Sequence, residues 1–267
     1  MSINRQLLVP DNYHAPSILK STDDYLIIYK PPGMHSVPGK GNNIVQWCES
    51  VLPGFLNVDG RKEGEGGLLH RLDYETHGLL LAAVNQNAFG LFFAEQNNGN
   101  IIKSYDAVAI KTTRQPKGFP LIAPLIPPDI YEHNPFILNS FFRSYGPGAK
   151  QVRPVICDIP AEYASDHGNK YCTEITRLRI INPNKKNNDL IYHFGINLRR
   201  GFRHQIRCHL AWAGFPILND KLYGGKTNSD FLALRARGIE FTDPGSGERV
   251  NYTLPELPTD FRSSAAR

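Results

Sequence analysis

Along the first 110 residues, some segments show the apolar pattern of strands and others show that of helices. Clusters of glycine, proline and polar residues separate these segments. Residues 25–30 (YLIIYK) and 79–84 are mainly apolar runs, typical of buried strands, and residues 103–110 (KSYDAVAI) alternate as a strand does. The apolar spacing over 44–52 and 87–97 predicts two short helices instead. This part of the chain is therefore expected to mix helices and strands.

The middle of the chain is much less regular. Residues 112–160 are rich in proline and glycine, which predicts a long irregular excursion with short strands near 120–126 and 137–143. Regular patterns return at 172–181 and 190–199, which predict two strands joined by the turn sequence NPNKKNND.

A last helix is predicted over residues 203–213, and Gly214 is expected to close it as a C-terminal cap. Strands and helices follow no strict alternation along the chain. The order of elements therefore favours a mixed α+β fold over a doubly wound parallel sheet.

Composition narrows the class of protein. The 267 residues carry 30 Lys and Arg against 25 Asp and Glu, a net charge of +5 that leans toward a polyanionic partner without establishing one. No apolar stretch approaches the length of a membrane helix, and the N-terminus lacks the features of a signal peptide, so a cytoplasmic location is expected. The cysteines are far apart and form no C-x-x-C pair, which argues against a disulfide framework or zinc site: Cys48, Cys157, Cys172 and Cys208.

The sequence His-Arg-Leu-Asp at residues 70–73 lies on an expected loop between two apolar stretches. A guanidinium at Arg71 would favour the ionised form of Asp73, as a nucleophilic carboxylate requires. An aspartate that caps a turn, with Arg71 as its salt-bridge partner, is the interpretation that physical reasoning alone favours.

A second candidate lies near the last predicted helix, where Arg199, Arg200, Arg203 and Arg207 fall within nine residues that contain no acid. If 203–213 is helical, Arg203 and Arg207 share one face, and their repulsion calls for an anion. That anion could be a phosphate or a buried carboxylate such as Asp73, and a solvated basic face is the simpler alternative.

The predicted strand over 103–110 adds a third candidate, Tyr105. A tyrosine beside a nucleophile could stack on a base or exchange a proton. A half-buried strand tyrosine with its hydroxyl in water is the alternative.

Together these segments resemble the RluA-type family of RNA pseudouridine synthases. The resemblance rests on four motifs in the family's order, spread over about 200 residues. They are the opening strand and turn in DYLIIYKPPGMHSVP, the catalytic motif in HRLDYETHG, the tyrosine strand KSYDAVAI, and GFRHQIRCHLAWAGFPILNDKLYG.

The resemblance implies an α+β pseudouridine synthase catalytic domain: a mixed, largely antiparallel, bent sheet with flanking helices and a central cleft. It implies an enzyme that isomerises uridines in ribosomal or transfer RNA without cofactor or metal. A monomer is the default expectation, since the sequence leaves the oligomeric state open. Asp73 matches the catalytic aspartate, Tyr105 the tyrosine that packs against the target base, and Arg207 the basic partner of the aspartate. The same motifs imply substrate contacts from His70, Arg71, Thr76, Arg199, Arg200, Arg203, His204 and Gln205.

The resemblance also divides the chain. The catalytic domain is expected over residues 21–260, with an N-terminal extension at 1–20 and a C-terminal tail at 261–267. Residues 127–169 exceed the family core and are interpreted as a subgroup insertion. No N-terminal RNA-binding module of the S4 type is apparent.

Four positions depart from the family pattern. His77 stands where Ser is usual, and Phe202 where Arg is common. Arg235 and Asp243 each stand where His is common. None of them is the aspartate, the tyrosine or the paired arginine, so the departures bear on RNA contacts and substrate identity rather than on chemistry.

Two other functions fit parts of the pattern. A non-catalytic RNA-binding protein or chaperone could use the same fold, although a carboxylate at Asp73 would weaken phosphate binding. A hydrolase or glycosidase could use Asp73 with Glu75, although no second carboxylate motif supports it.

Overall fold

The computed structural model describes residues 3–39, 41–156, 169–181, 190–225 and 231–256. Within them the chain forms an α+β fold, as the sequence predicted. The α-helices are α1 (Ile44–Val51), α2 (Gln86–Asn97) and α3 (Gln205–Trp212). The strands are β1 (Asn4–Leu7), β2 (Ser17–Ser21), β3 (Tyr25–Lys30), β4 (His77–Ala83), β5 (Ile102–Ile110), β6 (Phe136–Tyr145), β7 (Gln151–Val155), β8 (Tyr171–Ile181), β9 (Ile191–Leu198), β10 (Leu234–Thr242) and β11 (Arg249–Thr253).

The described residues divide into two compact units. The first unit comprises residues 3–104 with 235–256, and the second comprises residues 105–234. The chain crosses from one unit to the other inside β5, after Ser104, and returns inside β10, after Leu234. Of the candidate catalytic residues, the first unit carries Asp73, and the second carries Tyr105 and Arg207.

The first unit contains a mixed sheet. Strands β2, β3 and β4 pair antiparallel, β4 pairs parallel with β10, and β11 pairs antiparallel with β10 and parallel with β1. All six residues of β3 are buried, and Phe89 and Phe92 of α2 pack into the same core. Gly78 sits where β4 approaches β10, with a φ of +123°. A Cβ there would lie 2.1 Å from the carbonyl oxygen of Ala236, which explains the glycine that ends the HRLDYETHG motif.

The second unit contains an antiparallel sheet in the order β9-β8-β6-β7, with β5 beside β9. Every residue of α3 is buried, and Cys208 and Ala211 of that helix pack against Phe142 of β6 and Val152 of β7. The largely antiparallel pairing that the sequence predicted is therefore confirmed, unit by unit.

The element predictions fail where tertiary contacts override local pattern. No strand forms at 120–126; that segment is irregular, and Trp212 Nε1 donates a hydrogen bond of 3.0 Å to the carbonyl of Ile122. The sequence analysis also missed β7 inside the irregular excursion and four further strands: β1, β2, β10 and β11. The turn at 182–189 and the tail at 261–267 lie outside the described residues.

The last predicted helix begins two residues later than expected. His204 occupies the N-cap position of α3 with a left-handed φ of +56°, so Arg203 precedes the helix. The prediction that Arg203 and Arg207 share one helical face is therefore wrong. Gly214 follows the helix with a φ of +83°, as predicted for its cap.

In the described part of the chain, no helix combines the length and the apolar character that crossing a membrane requires.

Candidate active site

The loop that carries Asp73 is held at its backbone on both sides of that residue. On one side, the hydroxyl of Ser36 donates to the carbonyl of Leu72 and accepts from the N–H of Leu72, both at 2.9 Å. On the other side, the N–H of Gly33 donates to the carbonyl of Tyr74 at 2.9 Å. The segment after β3 thus fixes the main chain around Asp73, which is half-buried.

Lys30, the last residue of β3, also holds the backbone next to Asp73 through its side chain. Its side chain is fully buried, and its Nζ donates to the carbonyls of Met34 at 2.7 Å and Tyr74 at 3.3 Å. Burial lowers the pKa of Lys30 to about 7, and the nearby negative charges of Asp73 and Glu75 oppose that shift. The sequence analysis assigned no role to Lys30, although a lysine that ends an apolar strand before Pro-Pro-Gly was a visible signal.

His70 and Thr76, two of the residues expected to contact RNA, form hydrogen bonds within the segment that carries Asp73 or with the neighbouring strand β4. His70 accepts the N–H of Leu81 at its Nε2, 3.2 Å away. Burial lowers the pKa of His70 well below its usual value, so the ring is neutral near pH 7. Thr76 is buried, and its N–H donates to the carbonyl of Asp73 at 3.1 Å, which closes the turn. Both residues shape the loop, and their contacts with RNA stay predictions.

Arg71 has a different environment. Its side chain is 57% exposed, and its Nη1 lies 3.5 Å from Oε1 of Glu65. The structure therefore shows an exposed guanidinium with an acidic neighbour, and a contact of Arg71 with RNA stays a prediction.

Tyr105 lies buried in β5, and the residue that follows it is anchored by charge. The carboxylate of Asp106 is almost fully buried and lies 3.0 Å from Nε2 of His193 and 3.3 Å from Nη2 of Arg177. Successive strand residues point to opposite faces. The contacts of Asp106 with His193 and Arg177 therefore fix β5 from the face opposite to Tyr105.

Arg207 is held through its own side chain. It is 1% exposed, and its Nε and Nη2 donate to the two carboxylate oxygens of Asp220 at 2.7 and 2.9 Å. Asp220 also accepts the backbone N–H groups of Leu222 and Tyr223, and the guanidinium carbon lies 5.6 Å from the Tyr223 ring. A bidentate pair of this kind fixes the plane of the guanidinium as well as its position.

Asp220 is the carboxylate that the sequence analysis missed. Asp220 lies in the fourth motif, GFRHQIRCHLAWAGFPILNDKLYG. Its pairing with Arg207 spans thirteen residues of helix and loop, and such a pairing leaves no periodic pattern in the sequence. The pairing of Arg207 with Asp73 stays a prediction.

The three other arginines of the cluster are exposed but differ in their partners. Arg199 donates to Glu174 at 3.2 Å, whereas Arg203 donates through Nη2 to the carbonyl of Ala149 at 2.7 Å. Arg200 is exposed at the end of the strand β9 segment. The basic character predicted for this stretch is present at the surface.

His204 and Gln205 connect the start of α3 to its surroundings. Nδ1 of His204 lies 3.2 Å from the hydroxyl of Tyr223. Gln205 is buried; its Nε2 donates to Thr173 at 3.0 Å, and its Oε1 accepts the N–H of Phe202 at 2.9 Å. These contacts orient the helix that carries Arg207, and a direct contact with RNA stays a prediction for both residues.

The four departures from the family pattern lie in three different local environments. His77 of β4 and Arg235 of β10 lie directly opposite each other in the parallel pair, so these two departures are neighbours. Phe202 stacks on Phe142 of β6 with ring centroids 4.9 Å apart and planes within 3°. Asp243 accepts the hydroxyl of Tyr25, 2.9 Å away, and caps the turn after β10.

Among the described residues, no three His, Cys, Asp or Glu side chains are grouped as a metal site would require.

Comparison with known proteins gives a family match over most of the chain. A family model described as RNA pseudouridylate synthase matches residues 24–212. Ribosomal large subunit pseudouridine synthase D of Buchnera aphidicola is 27% identical over 270 residues, covering 95% of this chain and 73% of the relative. The Pseudomonas aeruginosa protein of the same name is 24% identical over 262 residues, covering 91% and 69%.

Solved structures show the same fold. Human RNA Pseudouridylate Synthase Domain Containing 1 matches with a TM-score of 0.63 at 16% identity, over 95% of this chain and 89% of that one. Human RNA Pseudouridylate Synthase Domain Containing 4 matches with a TM-score of 0.57 at 17% identity, over 93% and 90%.

Proposed function

Because the chain belongs to the RNA pseudouridylate synthase family, we propose that it isomerises specific uridines of large-subunit ribosomal RNA, with Asp73 as the catalytic aspartate. The two relatives described above support the choice of RNA, since both are named for the large ribosomal subunit. Asp73, Tyr105 and Arg207 all lie inside the matched segment. The observation that carries the assignment is the double backbone clamp around Asp73, which fixes the main chain on both sides of that residue.

The reaction breaks the bond between N1 of uracil and C1′ of the ribose, turns the base, and joins C5 to C1′. The proton on C5 leaves and N1 gains one, so the atoms balance without an oxidant or reductant. Asp73 acts on the nucleotide by one of three routes: attack at C1′, attack at C6, or removal of the proton at C2′. Each route requires an ionised carboxylate.

Arg207 and Tyr105 are assigned supporting roles. Arg207, whose guanidinium is oriented by Asp220, is assigned the role of the basic partner of the catalytic aspartate. Tyr105 packs against the uracil and moves the proton at C5. The target base must leave its stack before any of these groups can reach it, so the enzyme flips the nucleotide.

RNA binding is assigned to the exposed members of the predicted set. Arg71, Arg200 and Arg203 present guanidinium groups at the surface, and phosphates are their natural partners. The less exposed members, His70, Thr76 and Gln205, serve by shaping the two segments that carry Asp73 and Arg207. This division sharpens the set of substrate-binding residues drawn from the sequence.

The test is a pseudouridine map of ribosomal and transfer RNA from cells with and without the gene, by carbodiimide labelling and reverse-transcription stops. We expect one or a few large-subunit sites to disappear, to return with the wild-type gene, and to stay absent with Asp73→Asn. Glu75→Gln is the matched control, because it removes a carboxylate two residues away. An unchanged map in the deleted strain would refute the assignment, and a loss confined to transfer RNA would refute the choice of substrate.

A further inference from the structure

The segments on either side of residues 129–134 are basic and contain no acid. Residues 111–128 and 135–156 together carry six cationic side chains and no Asp or Glu, which exceeds the net charge of +5 of the whole chain. The cationic residues are Lys111, Arg114, Lys117, Arg143, Lys150 and Arg153. The two acids between these segments, Asp129 and Glu132, lie in the short stretch 129–134, so both flanking segments are wholly basic.

Hydrogen bonds join these segments into one surface. Arg143 of β6 donates to the carbonyl of Gly118 at 3.2 Å, and Arg153 of β7 donates to the carbonyl of Lys117 at 2.9 Å. The loop at 117–118 is thus tied to both strands of the β6–β7 hairpin.

Arg203 joins the same surface from the segment before α3. Its Nη2 donates to the carbonyls of Ala149 at 2.7 Å and Gln151 at 3.4 Å, the two residues that flank Lys150. The neighbouring Phe202 stacks on Phe142 of β6. The aromatic residue found where the family commonly has arginine therefore docks this segment against the hairpin.

One of the cations has a structural role. Arg153 is 3% exposed, and its guanidinium carbon lies 4.0 Å from the ring centroid of Tyr145 and 4.5 Å from that of Phe119. These cation–π contacts hold the hairpin together. Arg153 is consequently excluded from any binding role.

The remaining cations face outward. Lys117, Lys150 and Arg203 are exposed, and Arg143 is partly exposed. Within the described ranges, none of these four makes a salt bridge with a carboxylate, in contrast to Arg199 with Glu174. Cations on segments joined by these hydrogen bonds add to the local positive potential, which attracts a polyanion.

We propose that this hairpin surface, made of Lys117, Arg143, Lys150 and Arg203, is a docking site for the RNA backbone. It binds phosphates of the substrate RNA that do not belong to the reacting nucleotide. Through this surface the chain binds a large RNA outside the reacting nucleotide. The inference rests on the proposed function, because that function makes RNA the polyanion.

The test is equilibrium binding of the full-length protein to an in vitro transcript of the host's large-subunit ribosomal RNA at a series of salt concentrations. Each lysine–phosphate contact contributes about 0.7–0.9 to the slope of log K against log salt. We expect Lys117→Gln with Lys150→Gln to make that slope shallower by roughly 1.5 and to weaken binding roughly 10- to 50-fold at 0.1 M salt.

Two comparison variants make the result specific. Lys117→Arg with Lys150→Arg keeps the charge and should bind like the wild type. Arg5→Gln with Lys62→Gln removes the same charge from exposed positions elsewhere and should leave both binding and activity unchanged.

The outcome separates this inference from the proposed function. If the wild type forms pseudouridine but Lys117→Gln with Lys150→Gln binds like the Arg5 and Lys62 control, the docking surface is refuted and the enzyme assignment stands. If the wild type forms no pseudouridine while the predicted loss of slope is observed, the surface is supported and the enzyme assignment fails.

Discussion

Asp73 and Arg207, the two charged residues to which the proposed function gives roles, belong to different units and are held in different ways. Asp73 is positioned through the backbone of its neighbours, Leu72 and Tyr74, whose N–H and carbonyl groups bind Ser36 and Gly33. Arg207 is positioned through its own guanidinium, which forms a bidentate pair with the buried Asp220. The clamp therefore fixes the main chain around Asp73, whereas the pair fixes the plane and position of the Arg207 guanidinium.

The largest expected effect comes from breaking the side-chain pair. Asp220→Asn removes the carboxylate that faces Arg207 in a buried environment, and losing one partner of a buried ion pair costs about 3–5 kcal/mol. Glu174→Gln is the matched control, because its partner Arg199 is exposed and the pair contributes less than about 1 kcal/mol. Urea unfolding measures both. A loss in Asp220→Asn no larger than in the control would show that the pair does not hold Arg207.

The next effect concerns Lys30, whose charge lies under the Asp73 loop. Its pKa is about 7 in the folded chain and 10.5 ordinarily, so between these values the unfolded chain binds a proton that the folded chain does not. Stability contributed by this group therefore rises with pH from about 7 to about 10.5, by up to about 1.4 kcal/mol per pH unit. Lys30→Met should flatten the rise in unfolding free energy across that window. Parallel curves for the two proteins would contradict the burial of a titrating lysine.

A smaller effect comes from opening the backbone clamp. Ser36→Ala removes the partner of both the N–H and the carbonyl of the buried Leu72, at a cost of about 1–3 kcal/mol. Because the clamp acts on the loop of Asp73, the rate of pseudouridine formation should fall more than the affinity for RNA. Ser50→Ala is the control, since its hydroxyl binds one carbonyl at an exposed position. A variant that loses RNA affinity but keeps its rate would show that the clamp serves binding instead.

The sequence predicted the fold where one run of residues determines its own structure. The buried strand β3 and helices α1 and α2 follow directly from apolar runs and spacing. Strand β10 was missed because Arg235 and Arg237 interrupt the apolar residues, and Arg235 is nevertheless buried and donates to the carbonyl of Pro255 at 2.8 Å. The start of α3 was misplaced because the left-handed conformation of His204 depends on contacts with other segments.

The same distinction between local pattern and tertiary contact applies to the residues of the candidate site. Physical reasoning on the residues alone left Asp73 between a nucleophile and a turn cap, and the resemblance to a family chose between them. Neither route identified Asp220 or Lys30 as supports, because their contacts join residues that no local pattern connects. The residue roles remain predictions that catalytic experiments must test.

The most direct measurement is the single-turnover rate of pseudouridine formation by purified Asp73→Asn on the large-subunit RNA transcript, with RNA affinity measured on the same sample. We predict a rate reduced by roughly 1,000-fold or more with affinity close to that of the wild type. Glu75→Gln should retain its rate. An Asp73→Asn variant that converts uridine at a rate near the wild type would contradict the central claim that this carboxylate carries the reaction.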